Sequence, residues 1–291
     1  TLLGLTDYLE NADLDAIVVI ADRHETIAGS IAGSFLGLKT FHIQGGEKTG
    51  NIDDKVRYAN THLSDYHFVA NDDALSRLIS CGVSPEKIFV TGCPSLDLVK
   101  KSNFDKAKIP KLSGIGLPHE ELFKNDFLIV MQHPETTSEL DYPFQILPTI
   151  EAIDLVNIPS LWIWPNSDQG SEQVIGEIRK ARENGKLKNV HFERSLDPEL
   201  FLSLLDGTLC VVGNSSVALR ECSLIGTPAI NIGGRQIDRT HGANVINVDY
   251  FTNEIVNAVN RQILHGKYLP EFIYGNGESG KLIAQLIENL I

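Results

Sequence analysis

An α/β fold made of two doubly wound parallel sheets is what this sequence predicts. Short apolar, β-branched runs alternate with amphipathic stretches of helical length. The runs are continuously apolar instead of alternating, as expected of parallel strands covered on both faces. The alternation stops once, in the lysine-rich stretch Lys100–Asn125 with its two prolines and two glycines, and then restarts.

In the first half the predicted strands are Ala16–Ile20, Thr40–Ile43, Tyr66–Ala70 and Lys87–Thr91, with helices over Glu25–Leu38, Asp53–Leu63 and Asp72–Cys81. After the break, strands are predicted at Phe127–Gln132, Ser160–Trp164, Val190–Glu193, Leu209–Val212 and Ala229–Ile232. Helices fill Asp141–Asp154, Ser171–Asn184, Asp197–Leu205, Ser216–Leu224 and Thr252–Leu264, and Gly277–Ile291 reads as one more amphipathic helix. The expected organisation is therefore a first domain over residues 1–105, a linker over 106–125, a second domain over 126–270 and a C-terminal helix within 271–291.

Composition narrows the function. Hydrophobic residues make up 42% and charged residues 22% of the 291, the balance of a core-forming globular protein. Lys and Arg total 25 against 38 Asp and Glu, a formal charge of −13, which suits neither nucleic acid nor an acidic membrane surface as partner. No apolar run approaches bilayer length and no signal peptide opens the chain. Cys81, Cys93, Cys210 and Cys222 form no CxxC pair and no zinc spacing, so reduced thiols and a cytoplasmic location are expected. Walker, HExxH and GxSxG motifs are lacking, and neither a metal nor a cofactor is expected.

Open α/β sheets bind ligands at the carboxyl ends of their strands, so the residues just past each strand matter most. Asp22-Arg23-His24-Glu25 follow the first strand; they fit either chemistry or a solvated helix start, where acids are favoured. His42-Ile43-Gln44-Gly45-Gly46-Glu47 and the following residues to Asp54 are either a glycine-rich connector ending in a helix cap at Asp53 or a ligand loop. Gln132-His133-Pro134 places a histidine at a strand mouth, in a structural or a catalytic role, and Trp164-Pro165-Asn166 repeats the pattern. Gly213-Asn214-Ser215-Ser216 before a helical run reads as an anion site, or else as simple capping by Ser215. Glu221 further along could accept from sugar hydroxyls, and Arg235, after Gly233-Gly234, would supply a cation for a diphosphate.

DRHE (Asp22–Glu25), HIQGGEKTGNIDD (His42–Asp54), QHP (Gln132–Pro134), WPNSDQGS (Trp164–Ser171), VGNSS with RE (Val212–Glu221) and GTPAINIGGRQIDR (Gly226–Arg239) occur in that order, followed by YGNG at Tyr274–Gly277. Together they resemble the UDP-N-acetylglucosamine 2-epimerases, in particular the hydrolysing branch that feeds the synthesis of sialic- and legionaminic-acid-type sugars. The resemblance implies two Rossmann-like domains in the arrangement of the GT-B glycosyltransferases, with UDP on the second and the amino sugar facing the first. It implies loss of the C2 proton and of UDP to give a 2-acetamidoglucal, then hydration to N-acetylmannosamine. By the same similarity Asp22 and Asp53 match catalytic carboxylates, and His133 matches the histidine beside the diphosphate. Arg23, Asn166, Ser215, Ser216, Glu221 and Arg235 would hold UDP, with Glu221 on the ribose and the main chain of Leu196 at the uracil. Gly213 and Asn214 complete the phosphate turn, while His42 and Gln44 would line the sugar pocket. A homodimer is expected from family habit alone.

Three departures stand out. Family members carry further βα units ahead of the first motif, so the first domain is expected to lack its N-terminal units, with low stability and little activity as the sequence stands. Gln44 occupies the place of a glutamate thought to be catalytic in the animal enzymes, which leaves acid–base work to Glu47 or makes Gln44 a pocket-tuning residue. Glu172 and Gly176 stand where animal enzymes bind a CMP-sialate inhibitor through basic residues, so that feedback is expected to be missing and the protein to be of bacterial type. The non-hydrolysing epimerases, a GT-B glycosyltransferase and an inactive UDP-sugar binder are the competing readings.

Overall fold

A computed structural model describes residues 1–49, 53–101, 104–236 and 238–291, the side chains of Lys100 and Lys101 excepted. Gly50, Asn51 and Ile52 of the glycine-rich stretch, Ser102 and Asn103 of the expected linker, and Ile237 lie outside the described residues. The chain forms two compact units, Thr1–Asp97 together with Tyr274–Ile291, and Leu98–Ile273. Among the described residues no helix is long and apolar enough to cross a membrane.

The first unit runs α1 (Leu2–Asn11), β1 (Ala16–Ile20), α2 (Thr26–Leu36), β2 (Lys39–Ile43), α3 (Asp53–Leu63), β3 (Tyr66–Val69), α4 (Asp72–Ser80) and β4 (Ile88–Val90). Its sheet has the order β1-β2-β3-β4, parallel throughout, with Val19 opposite His42 and His42 opposite His67. Strand alternation sorts the side chains between its two faces. Phe41, Ile43 and Phe68 pack beneath Ile283 of the C-terminal helix, Ser279–Leu290, while Val69 joins Ala74, Leu78 and Ile88 in a second cluster. Asp97 receives the backbone N–H groups of Ser279 at 2.9 Å and Gly280 at 2.6 Å, satisfying donors that every helix start leaves open. At the other end the Lys39 ammonium donates to the last carbonyls, where a cation complements the helix dipole. The YGNG motif is the approach to this helix: Cys93 N–H donates to the Tyr274 carbonyl at 2.7 Å.

The second unit contains β5 (Ile115–Gly116), α5 (His119–Leu122), β6 (Leu128–Met131), α6 (Tyr142–Val156), β7 (Ser160–Ile163), α7 (Ser171–Glu183), β8 (Val190–Glu193), α8 (Pro198–Gly207), β9 (Val211–Gly213), α9 (Glu221–Ile225), β10 (Ala229–Ile232), β11 (Val245–Val248) and α10 (Thr252–His265). The sheet order is β11-β10-β9-β6-β7-β8-β5, parallel except for β5 on the edge. Its core centres on Trp162, Phe192, Val130, Val212, Ile230 and Ile255.

Three expectations need correction. The stretch expected as a linker over 106–125 belongs to the second unit: Leu112, Leu122 and Phe123 are buried, and Gly114 N–H donates to the Glu193 carboxylate at 2.9 Å. Its lysines Lys106, Lys108, Lys111 and Lys124 are exposed, Lys108 pairing with Asp105 and Lys106 donating to the Lys124 carbonyl. The C-terminal helix, expected as a separate segment within 271–291, is part of the first unit. The helix expected over Ser216–Leu224 is broken into a 3-10 turn at Ser216–Ala218 and the short α9, with Arg220 at ψ −76° between them. The strand β11, the edge strand β5 and the helices α1 and α5 were not predicted; each is short or buries little apolar surface of its own.

Candidate active site

In the first unit the polar residues after β1 and β2 converge on one buried guanidinium. Arg57, on the inward face of α3, is only 2% exposed. It ion-pairs with the Asp22 carboxylate, donates to Asp54 Oδ1 at 3.0 Å and reaches the Glu47 carbonyl at 2.5 Å. Asp54 Oδ1 also accepts from the Thr49 backbone N–H and hydroxyl, both at 2.8 Å, which ties the glycine-rich loop to the start of α3. Two carboxylates thus share one buried cation.

The turn carrying Asp22 is fixed from behind. Ala21 adopts φ +57°, a conformation that costs energy for a residue with a Cβ. Its carbonyl accepts from His42 Nε2 at 3.1 Å and Asn60 Nδ2 at 3.2 Å, both on fully buried side chains. Burial pushes the His42 imidazole down to about 4, so it is neutral at pH 7 and its Nε2 carries the proton donated to Ala21. His42 is therefore an orienting group under the Asp22 turn.

Gln44, at φ +64°, donates from Nε2 to Cys93 Sγ at 2.7 Å. Glu47 is buried, and Asp53 opens α3 beside Asp54, half-buried. Asp54, which the sequence reading passed over, makes the pair with Arg57. The Arg23 side chain is 59% exposed and pairs with Glu25 at 3.4 Å. Arg57→Met would leave two carboxylates and a carbonyl around an uncharged side chain. Breaking a buried pair in this way costs about 3–5 kcal/mol, so denaturant unfolding of the variant should show a loss of that order.

In the second unit the loops after β6, β7, β9 and β10 meet at His133. Gly213, at φ +142°, brings the chain so close to β6 that a Cβ there would lie 1.9 Å from the Met131 carbonyl. That approach places Asn214 against the histidine: His133 N–H donates to Asn214 Oδ1 at 2.7 Å, and Asn214 Nδ2 donates back to the His133 carbonyl at 2.8 Å. The Asn166 backbone N–H donates to His133 Nδ1 at 3.2 Å, which leaves the ring hydrogen on Nε2. Burial, reinforced by the Arg235 charge, pushes this imidazole down to about 3. It stays neutral across the working pH range and acts as a hydrogen-bond donor from Nε2.

Arg235 donates to the Asn214 carbonyl at 3.2 Å and lies 3.9 Å from Asp168. Gln236 reaches the same carbonyl at 3.2 Å and accepts from Arg239. Ser215 caps the 3-10 turn through a long 3.5 Å contact to Val217 N–H, and the Ser216 carbonyl accepts from Leu219 and Arg220. A turn of this length has little dipole, so anion binding here rests on side chains and local N–H groups. Glu221 is buried at the start of α9. Leu196 lies half-buried after β8, next to Asp197, which caps α8. The Asn166 side chain is exposed; its backbone does the positioning.

The second unit is thus a doubly wound α/β sheet whose strand order reverses between β6 and β9, whereas the first, expected to be doubly wound as well, is a parallel sheet in sequential strand order; both gather polar and charged groups past the carboxyl ends of their parallel strands. The UDP-N-acetylglucosamine 2-epimerase family profile matches residues 1–288. A UDP-N-acetylglucosamine 2-epimerase of Neisseria meningitidis serogroup B is 31% identical over 99% of this chain and 75% of its own length. A hydrolysing UDP-N,N'-diacetylbacillosamine 2-epimerase of Legionella pneumophila is 28% identical over 99% and 74%. The crystal structure of the Methanocaldococcus jannaschii UDP-GlcNAc 2-epimerase in complex with UDP-GlcNAc and UDP superposes with a TM-score of 0.79 at 17% identity, covering 99% of this chain and 79% of that one. The chain belongs to the UDP-N-acetylglucosamine 2-epimerase family.

Proposed function

We propose that this protein is a hydrolysing 2-epimerase. It would convert UDP-N-acetylglucosamine, or a UDP-diacetamido sugar, and water to the free 2-epimer and UDP. The observation that carries the proposal is the Asp22–Arg57–Asp54 cluster, which sets a carboxylate at the end of β1 with its position fixed. In this reading Asp22 takes the C2 proton. The C2–H electron pair forms the C1=C2 bond, and the C1–O bond breaks with its pair leaving on UDP. Water then adds its hydroxyl to C1 of the 2-acetamidoglucal, and a proton reaches C2 from the opposite face, for which Asp53 and Glu47 are the available acids.

The leaving diphosphate needs its growing charge held. The second unit offers the neutral His133 Nε2–H, the Arg235 guanidinium and the Ser215 and Ser216 hydroxyls for that task. Gly213 and Asn214 shape the turn, Glu221 takes the ribose and the Leu196 main chain the uracil. Neither a metal nor a cofactor is required by these steps.

The test is NMR of the sugars formed from UDP-N-acetylglucosamine in deuterated water. Free N-acetylmannosamine carrying deuterium at C2, with UDP, is expected. UDP-N-acetylmannosamine would move the protein to the non-hydrolysing branch. If nothing forms, the UDP-diacetamido sugar is tried next, and silence there would identify a binder without turnover.

A further inference from the structure

We propose that Glu135 is the positioning residue for Arg235, holding the turn after β10 through a hydrogen-bonded bracket to Tyr250. The inference rests on the reading that Arg235 binds the diphosphate. Glu135 lies two residues beyond His133, on the loop after β6, and is itself held from both sides by one glutamine. Its N–H donates to Gln145 Oε1 at 2.8 Å, and its carbonyl accepts from Gln145 Nε2 at 3.0 Å.

The carboxylate then makes two contacts through a single oxygen. Oε2 accepts from the Gly234 N–H at 3.0 Å and from the Tyr250 hydroxyl at 2.8 Å. Gly233, at φ +75°, lies directly on the Tyr250 ring, where a Cβ would come within 2.3 Å of Cζ. The residue before Arg235 is therefore tied to Glu135, and the one before that is seated on an aromatic ring whose far end is tied to the same oxygen. Arg235 follows with few backbone degrees of freedom left, and its guanidinium goes to the Asn214 carbonyl beside His133. Preorganising a cation in this way reduces the ordering needed when an anion binds.

Three variants of the full chain separate the possibilities by calorimetric binding of UDP and UMP. Glu135→Ala should weaken UDP by about ten-fold, about the net worth of one hydrogen bond, and should erode the preference for UDP over UMP. Glu135→Gln keeps an oxygen in the Oε2 position for both donors and should bind UDP within about two-fold of the parent, well inside one hydrogen bond's worth. Arg235→Ala is the control for the underlying reading and should itself lose UDP affinity. Normal UDP binding by Glu135→Ala with weak binding by Arg235→Ala overturns the positioning role alone, while normal binding by Arg235→Ala overturns the diphosphate assignment. If Gln binds as poorly as Ala, or if UDP and UMP weaken alike, Glu135 acts through its charge or through general structure, and the proposal fails.

Discussion

Asp22→Asn should remove turnover while leaving UDP affinity nearly intact. Asparagine has the shape of aspartate and keeps an oxygen toward Arg57, so the turn held by His42 and Asn60 has no reason to move. It cannot take a proton, and losing a positioned base costs roughly 10²- to 10⁴-fold in rate. The residues assigned to UDP are on the other unit, so binding measured by calorimetry should stay within about two-fold, less than one hydrogen bond's worth. Release of UDP from UDP-N-acetylglucosamine, followed chromatographically, gives the rate. Activity above about one hundredth of the parent, the smallest loss that removing a general base produces, would reassign the base. Asp53→Asn and Asp54→Asn beside it would then show whether the start of α3 carries that role.

The second large effect is on stability in mild acid. Three buried imidazoles are depressed by desolvation, His42 to about 4, His67 to about 3 and His133 to about 3. Unfolded, each titrates at about 6.5. Between that value and the folded one, the unfolded chain binds more protons than the native protein, so stability is lost as pH falls. Each histidine contributes about 1.4 kcal/mol per pH unit over that window, and three together make about 4 kcal/mol per unit. Against a typical net stability of about 5–15 kcal/mol, the fold should fail before pH 4. Urea midpoints measured at pH 7.5, 6 and 5 should fall steeply only below 6.5. A flat midpoint down to pH 5 contradicts the burial of these rings. His67→Leu should remove about a third of the slope, since it deletes one of the three depressed imidazoles.

The central parallel strands were legible in the sequence because buried strands leave uninterrupted apolar runs, and Leu128–Met131 lies within the run that predicts it. Asp22, His42 and His133 were legible for a related reason: once a strand end is known, the next polar residues are at the functional edge of the sheet. Arg57 was not. Its helix, DDKVRYANTHL, is polar enough to pass for a solvated face, although its one arginine is inward. The spacing of Asp54 and Arg57, three apart on a helix, was the available signal. Glu135 and Tyr250 lie 115 residues apart and meet only through the sheet order. The edge strand β5 is two residues long, below what periodicity can register.

The C-terminal helix makes the first unit discontinuous in the chain, with the whole second unit inserted between Asp97 and Tyr274. During synthesis at about 5–20 residues per second, the early strands emerge long before the segment that covers Phe41 and Phe68. The inserted unit has all its strands by Val248 and can fold while the first is still waiting for Ile283. The face carrying Phe41 is thus expected to stay uncovered until Ile283 has been made, and it is the surface a ribosome-bound chaperone would need to shield in the meantime.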